Sequence, residues 1–274
     1  MRSHLFPALP RAAAPALLLA LAAGCGSAPS TPKWDDQSNI PRRYAAPYAE
    51  RPIVVDGRLD DGGWTEAPWT VEFVDIEGAR KPRPRFKTVA RMAWDEDYFY
   101  VGARMVEPHL WATLTEHDSV IFQDNDFEVF IDPDGDAADY FEYEINALGT
   151  DWDLFLPVAY RDGGQADNGW EIPGLKKAVH LDGTLNDPTD LDRGWTVELA
   201  IPWAAFGEAA GMPLPPRPGD VWRVNFSRVQ WQIDIGKAGY RKQPDTPEDN
   251  WVWSPQFQVD MHQPEHWGYV TFSR

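Results

Sequence analysis

From Ile53 onward the chain is written in short runs in which apolar and polar residues alternate, separated by clusters of Gly, Pro and Asp. Side chains of an extended strand point alternately to its two faces, so each run carries one dry face and one wet face. In residues 98–106, Phe99, Val101, Ala103 and Met105 share a face, while Tyr98, Tyr100 and Arg104 share the other. Residues 126–132 turn Phe127, Val129 and Ile131 inward and Asp126 and Glu128 outward. Residues 140–146 set Phe141, Tyr143 and Ile145 against Glu142, Glu144 and Asn146. The same pattern recurs in 195–201 and 221–227, with Trp195 and Trp222 in phase with aliphatic neighbours and therefore core. Helical periodicity is scarce, with short pieces predicted only at 202–207 and near 61–66. Runs of this kind pack as antiparallel sheets on one side, so the expected fold is all-β, an antiparallel β-sandwich with one or two short helical turns.

A chain of 274 residues, 43% hydrophobic and 13% aromatic, can bury a sizeable core. Its formal net charge of -18 repels phosphate backbones and anionic lipid surfaces, which argues against nucleic-acid binding. Neutral ligands, cations and cationic partners remain open.

The N-terminus reads as an export leader: Arg2 and Arg11, an apolar run over residues 12–23, then Gly24 and Cys25. The run is too short for a stable span of a hydrocarbon core about 30 Å thick. Leu21-Ala-Ala-Gly-Cys25 resembles a bacterial lipobox, with Ala22 where that pattern prefers Leu. The domains expected are a lipoprotein signal peptide (1–24), a Pro-rich tether from lipidated Cys25 to residue 48, and a binding domain over 49–274. An ordinary secretory leader is the alternative. Because Cys25 is the only Cys, an intrachain disulfide is excluded. The predicted location is the cell envelope, the outer membrane in a Gram-negative cell, with membrane contact through the lipid anchor alone.

Several runs together resemble the family 9 carbohydrate-binding modules and their DOMON-like relatives, β-sandwiches often attached to secreted xylanases. They are Ile53-Val-Val-Asp-Gly-Arg-Leu-Asp-Asp61 with Trp64, Ala93-Trp-Asp-Glu-Asp-Tyr-Phe-Tyr-Val101, and Asp124-Asn-Asp-Phe-Glu-Val-Phe-Ile-Asp-Pro133. Residues 140–146, 194–203, 219–228 and 267–272 follow in the same order and spacing. The resemblance implies non-covalent carbohydrate binding in support of polysaccharide breakdown, with oligo- or polysaccharide as ligand, glycoside hydrolases as partners and calcium as a bound ion.

Neutral sugars present apolar C–H faces to indole rings and hydroxyls to polar side chains. Trp152, Trp231, Trp251 and Trp253 are the candidate platforms, the last two flanking a long polar loop (233–248) and sharing a face by parity. Glu142, Asn146, Asp153 and Arg228 are the candidate hydroxyl-selecting residues. In the hairpin that turns between Asp132 and Asp139, matched faces put Glu128 opposite or diagonal to Glu142 or Glu144. Calcium, an arginine (Arg104, Arg223 or Arg228) or solvent must offset that repulsion. Asp132, Asp134 and Asp136 are the candidate calcium ligands at the turn.

Two other functions stay open. A glycoside hydrolase needs two carboxyl groups across a cleft, for which Glu142, Glu144, Asp151 and Asp153 are available. A haem-binding electron carrier would need Met and His ligands, but Met92 and Met105 are in phase with strand interiors, and no haem is expected. His109, His117, His262 and His266 are scattered. The reading favoured is a binding module, not an enzyme.

Overall fold

The computed structural model describes residues 40–274. The expected signal peptide, the lipidation site Cys25 and the first part of the tether lie outside the described residues. Strands β1 (Arg43–Pro47) and β2 (Val74–Asp75) precede a hairpin of β3 (Thr88–Trp94) and β4 (Tyr98–Val106). A meander of β5 (Asp126–Asp132), β6 (Ala138–Asn146) and β7 (Asp151–Val158) follows, then β8 (Lys176–Asp182) and β9 (Gly194–Pro202). The last strands are β10 (Val221–Gln230), β11 (Ile233–Gly236), β12 (Gly239–Lys242), β13 (Asp249–Val252) and β14 (Gly268–Ser273). The regular helices are short 3₁₀ turns, including Gly62–Trp64 and Trp203–Ala205, where the sequence places its two helical pieces. No helix among the described residues is long and apolar enough to cross a membrane.

Two sheets form the sandwich. One runs β1-β14-β10-β5-β6-β7, with β13 pairing the far half of β10 and β2 pairing β13; the other runs β3-β4-β9-β8. All pairs are antiparallel except β1 with β14, which run parallel. The odd-numbered residues of β4 face, across the interior, the odd-numbered residues of β5 and the even-numbered ones of β10 in the other sheet, as their alternation requires. Trp195, Trp222, Met92 and Met105 are all core. Trp222 meets Phe206 at 4.8 Å and Phe272 at 5.2 Å, edge to face in both cases. Gly268 opens β14 because the Trp253 ring lies where a side chain would be, 2.3 Å from an added Cβ.

Two boundaries differ from the sequence reading. The tether does not reach residue 48, because Arg43–Pro47 is a sheet strand. Its Tyr44 and Ala46 are buried, and the Tyr44 hydroxyl donates to the Pro68 carbonyl at 2.6 Å. The polar segment 233–248 is not one open loop, since β11 and β12 pair within it.

The larger difference concerns the outer face of β5 and β6. Alternation predicts solvent there, yet a second apolar cluster covers it: Phe130, Tyr140, Leu154, Leu156, Val252, Met261 and Trp267. The segment between β13 and β14 supplies Met261 and Trp267. This second layer turns a wet sheet face into a lined hollow.

Candidate functional site

On that covered face lies a half-open cavity of about 360 Å³. Its floor is set by cross-strand register. Glu128 of β5 pairs with Glu144 of β6, and Glu144 in turn with Trp152 of β7. In the next row Phe130 pairs with Glu142, and Glu142 with Leu154. Asp260, Met261 and His262 close one side together with Tyr160, and Glu248 and Asn250 another. The hairpin geometry expected from even-sum pairing is therefore present, with Glu128 directly opposite Glu144.

Burial dominates the electrostatics. Glu142 and Glu144 are 5% and 2% exposed, and Asp126, beneath Glu128 on β5, is 0% exposed. Burial first, then the charge of Glu128, holds the carboxyls of Asp126, Glu142 and Glu144 well above the usual carboxylate range. Glu128 itself is raised, again by burial. His262, whose Nδ1 lies 3.0 Å from the Tyr140 hydroxyl, is pushed down to about 4 by burial and is neutral at physiological pH. Two lining groups have no hydrogen-bond partner among the described residues: the indole Nε1 of Trp152 and Oε2 of Glu142, the latter 3.9 Å from Nε2 of His262. Buried polar atoms left so are costly unless a ligand engages them.

Of the residues singled out in the sequence, Trp152 and Glu142 meet in this cavity. The others do not. Asp153 follows Trp152 on the strand and so faces the opposite side, where its Oδ2 accepts from the Ile172 amide. Asn146 is spent on its own turn: Oδ1 accepts from Leu148 and Thr150, and Nδ2 donates to the Leu114 carbonyl and Asp124. Trp251 and Trp253 do share a face, but it is the interior one, and both sit in the main core at 3% and 1% exposure. They are no sugar platform. Arg228 also points between the sheets, pairing with Glu107.

Trp231 is half-buried in a second cavity of about 230 Å³, with Phe86, His109 and Gln243. Its Nε1 donates to the Phe122 carbonyl at 2.9 Å, and the Lys242 ammonium covers its ring at 3.5 Å. The aspartates Asp132, Asp134 and Asp136 converge within 4.8 Å at the β5–β6 turn. There Asp132 accepts from the amides of Gly135 and Ala137, which closes the turn.

Sequence reasoning missed Tyr160, Asp260 and His262 because they lie in irregular segments with no periodicity. The sequence shows Glu128 as part of a charge conflict within a hairpin, and Glu144 both there and among the carboxyls open to a hydrolase.

A family described as "Carbohydrate family 9 binding domain-like" matches residues 55–271. Exoglucanase XynX of Acetivibrio thermocellus is 24% identical over 237 residues, covering 78% of this chain and 19% of that protein. The chain thus spans about a fifth of that relative's length. A family 9 carbohydrate-binding module from Caldicellulosiruptor kristjanssonii, solved with cellotriose, superposes with a TM-score of 0.56 at 17% identity, covering 85% of this chain and 94% of that one. A structure of a family 9 module from the same organism with glucose gives 0.55 at 18% identity, covering 85% and 97%. The family match spans most of the chain, and the chain belongs to the carbohydrate family 9 binding domain-like family.

Proposed function

We propose that this chain binds a neutral oligosaccharide non-covalently in the cavity beside Trp152. The observation that carries the reading is the pairing there of an aromatic ring with unpartnered polar groups. Trp152 offers a ring for a pyranose face and a free N–H, while Glu142 offers a free oxygen for a hydroxyl. Small-molecule sites are hollows of roughly 300–1,000 Å³ with just such a mixture of aromatic walls and few polar groups. Family membership supports the same ligand class, and the similar modules solved with glucose and cellotriose name the first probes.

Calorimetric titration of the chain against glucose, cellotriose, xylo-oligosaccharides and a wider glycan panel tests it. One saturable ligand is expected, with a dissociation constant roughly between millimolar and micromolar, weakened at least tenfold by Trp152→Ala. No binding across the panel would refute it.

The finer reading is of an envelope lipoprotein, anchored through Cys25, that holds glycan for partner glycoside hydrolases. The lipobox-like Leu21-Ala-Ala-Gly-Cys25 supports the anchor. Metabolic labelling with a tagged fatty acid should mark the wild type and not Cys25→Ala.

A further inference from the structure

His117, in the segment between β4 and β5, stands against β7 with its two ring nitrogens turned to different partners. The Asp118 amide donates to the Asp151 carbonyl at 3.1 Å, which fixes this segment to the strand. Nδ1 lies 3.1 Å from Oδ1 of Asp151 and 3.2 Å from its carbonyl. Nε2 lies 3.2 Å from Oε1 of Glu171, 3.3 Å from Oδ1 of Asp118 and 3.8 Å from Oδ1 of Asp153. One donor atom from each of His117, Asp153 and Glu171 falls within 4.8 Å of the other two. None of these residues lines the cavity beside Trp152.

Asp153 supplies the observation that points to a ligand. The residue is 2% exposed and its Oδ2 accepts from the Ile172 amide at 2.5 Å. Its Oδ1 is turned toward Nε2 of His117 and has no hydrogen-bond partner among the described residues. A buried carboxylate oxygen left so is costly. The Lys177 ammonium pairs with Asp151, whose Oδ2 also accepts from the Tyr143 hydroxyl at 3.0 Å. A neutral His117 ring that donates from Nδ1 to this braced carboxylate turns a lone pair on Nε2 toward Asp118, Asp153 and Glu171. A proton on Nε2 relieves that repulsion but leaves Oδ1 of Asp153, 3.8 Å away, still without a bond.

We propose that Nε2 of His117, Oδ1 of Asp153 and a carboxylate oxygen of Glu171 form a site for a first-row transition metal of the zinc type. Metal-bound imidazoles almost always pass their other N–H to a carboxylate or carbonyl, the part Asp151 plays here. Bonds to zinc run about 2.0–2.2 Å, so tetrahedral donors stand roughly 3.4 Å apart. The distances from Nε2 to Glu171 and to Asp153 fall on either side of that value. A nitrogen donor beside two carboxylates favours zinc over calcium, whose shell takes six to eight oxygens. Water completes the shell from the solvent side, where His117 and Glu171 are exposed. The ion clasps the segments that precede β5 and follow β7 onto β7 itself, and the site does not depend on the carbohydrate reading.

The untagged full chain, stripped with chelator and dialysed, is titrated at neutral pH with zinc chloride by calorimetry and with cobalt chloride by visible absorption. One saturable site is expected, whose cobalt band zinc abolishes and an equal concentration of calcium leaves in place. His117→Gln and Glu171→Gln, both at exposed positions, should each weaken zinc binding at least about tenfold, as should Asp153→Asn. His109→Gln and Cys25→Ala should leave it within about twofold. Zinc should raise the melting temperature of the wild type and not that of His117→Gln, which reports the site without an affinity measurement. No saturable zinc binding by the wild type would overturn the proposal. Zinc binding undiminished in His117→Gln would do the same, as would calcium displacing cobalt at equal concentration.

Discussion

The guanidinium of Arg228 lies 2.9 Å from Oε2 of Glu107, with both side chains out of solvent, and the pair ties the two sheets together at one end of the interior. Arg228 also donates to Oγ1 of Thr88, to the Val106 carbonyl and to Gln230. Removing one member of a buried pair strands the other charge, at a cost of about 3–5 kcal/mol. Glu107→Gln should therefore lower the urea midpoint strongly while leaving sugar affinity in the surviving folded protein unchanged.

The tryptophans separate into two classes by a single pair of measurements. Trp251→Ala or Trp253→Ala opens a core cavity and should cost about 3–5 kcal/mol in chemical denaturation. Trp152→Ala should leave the denaturation midpoint nearly in place and act on ligand affinity. The opposite pattern would put the ligand elsewhere.

Glu198 anchors the segment that opens the domain. Its Oε1 accepts from Trp64 Nε1 at 2.7 Å, and its Oε2 from the amides of Asp56 and Gly57 at 2.9 and 2.8 Å. Glu198→Ala leaves these donors without their acceptor and should destabilise the fold by about 3 kcal/mol. Limited proteolysis should then cut first within residues 53–63.

His262 gives a pH signature with a definite sign. Its pKa is about 4 in the fold and about 6.5 when unfolded, so between those values the unfolded chain binds more protons. Its contribution is whole above pH 6.5 and is lost as pH falls toward 4. Relative to His262→Gln, the wild type should lose about 3 kcal/mol between pH 7 and pH 4. Urea denaturation of both proteins across that range checks it. A constant difference would mean that His262 titrates alike in the folded and unfolded chain.

Strand parity read from the sequence located the sandwich interior, including Trp195, Trp222 and the hairpin register that opposes Glu128 and Glu144. It is a local signal and says which residues share a face, not what later covers that face. The fate of Glu142 was set by Met261 and Trp267, more than a hundred positions away, in a segment without periodicity. Trp251 and Trp253 were misassigned for a related reason: shared parity fixes that they point the same way, not whether inward or outward. Asn146 and Arg228 carry the right chemistry for hydroxyls, but chemistry alone does not show that neighbouring amides, carbonyls and Glu107 already claim it.

The parallel pairing of β1 with β14 has a mechanical corollary. Five successive positions, from Arg43 against Tyr269 to Pro47 against Ser273, are held side by side. A pull arriving through the residues before Ile40 and directed along β1 strains those positions in shear, all together, instead of unzipping them in turn. The edge strand therefore meets such a pull with all five pairs at once.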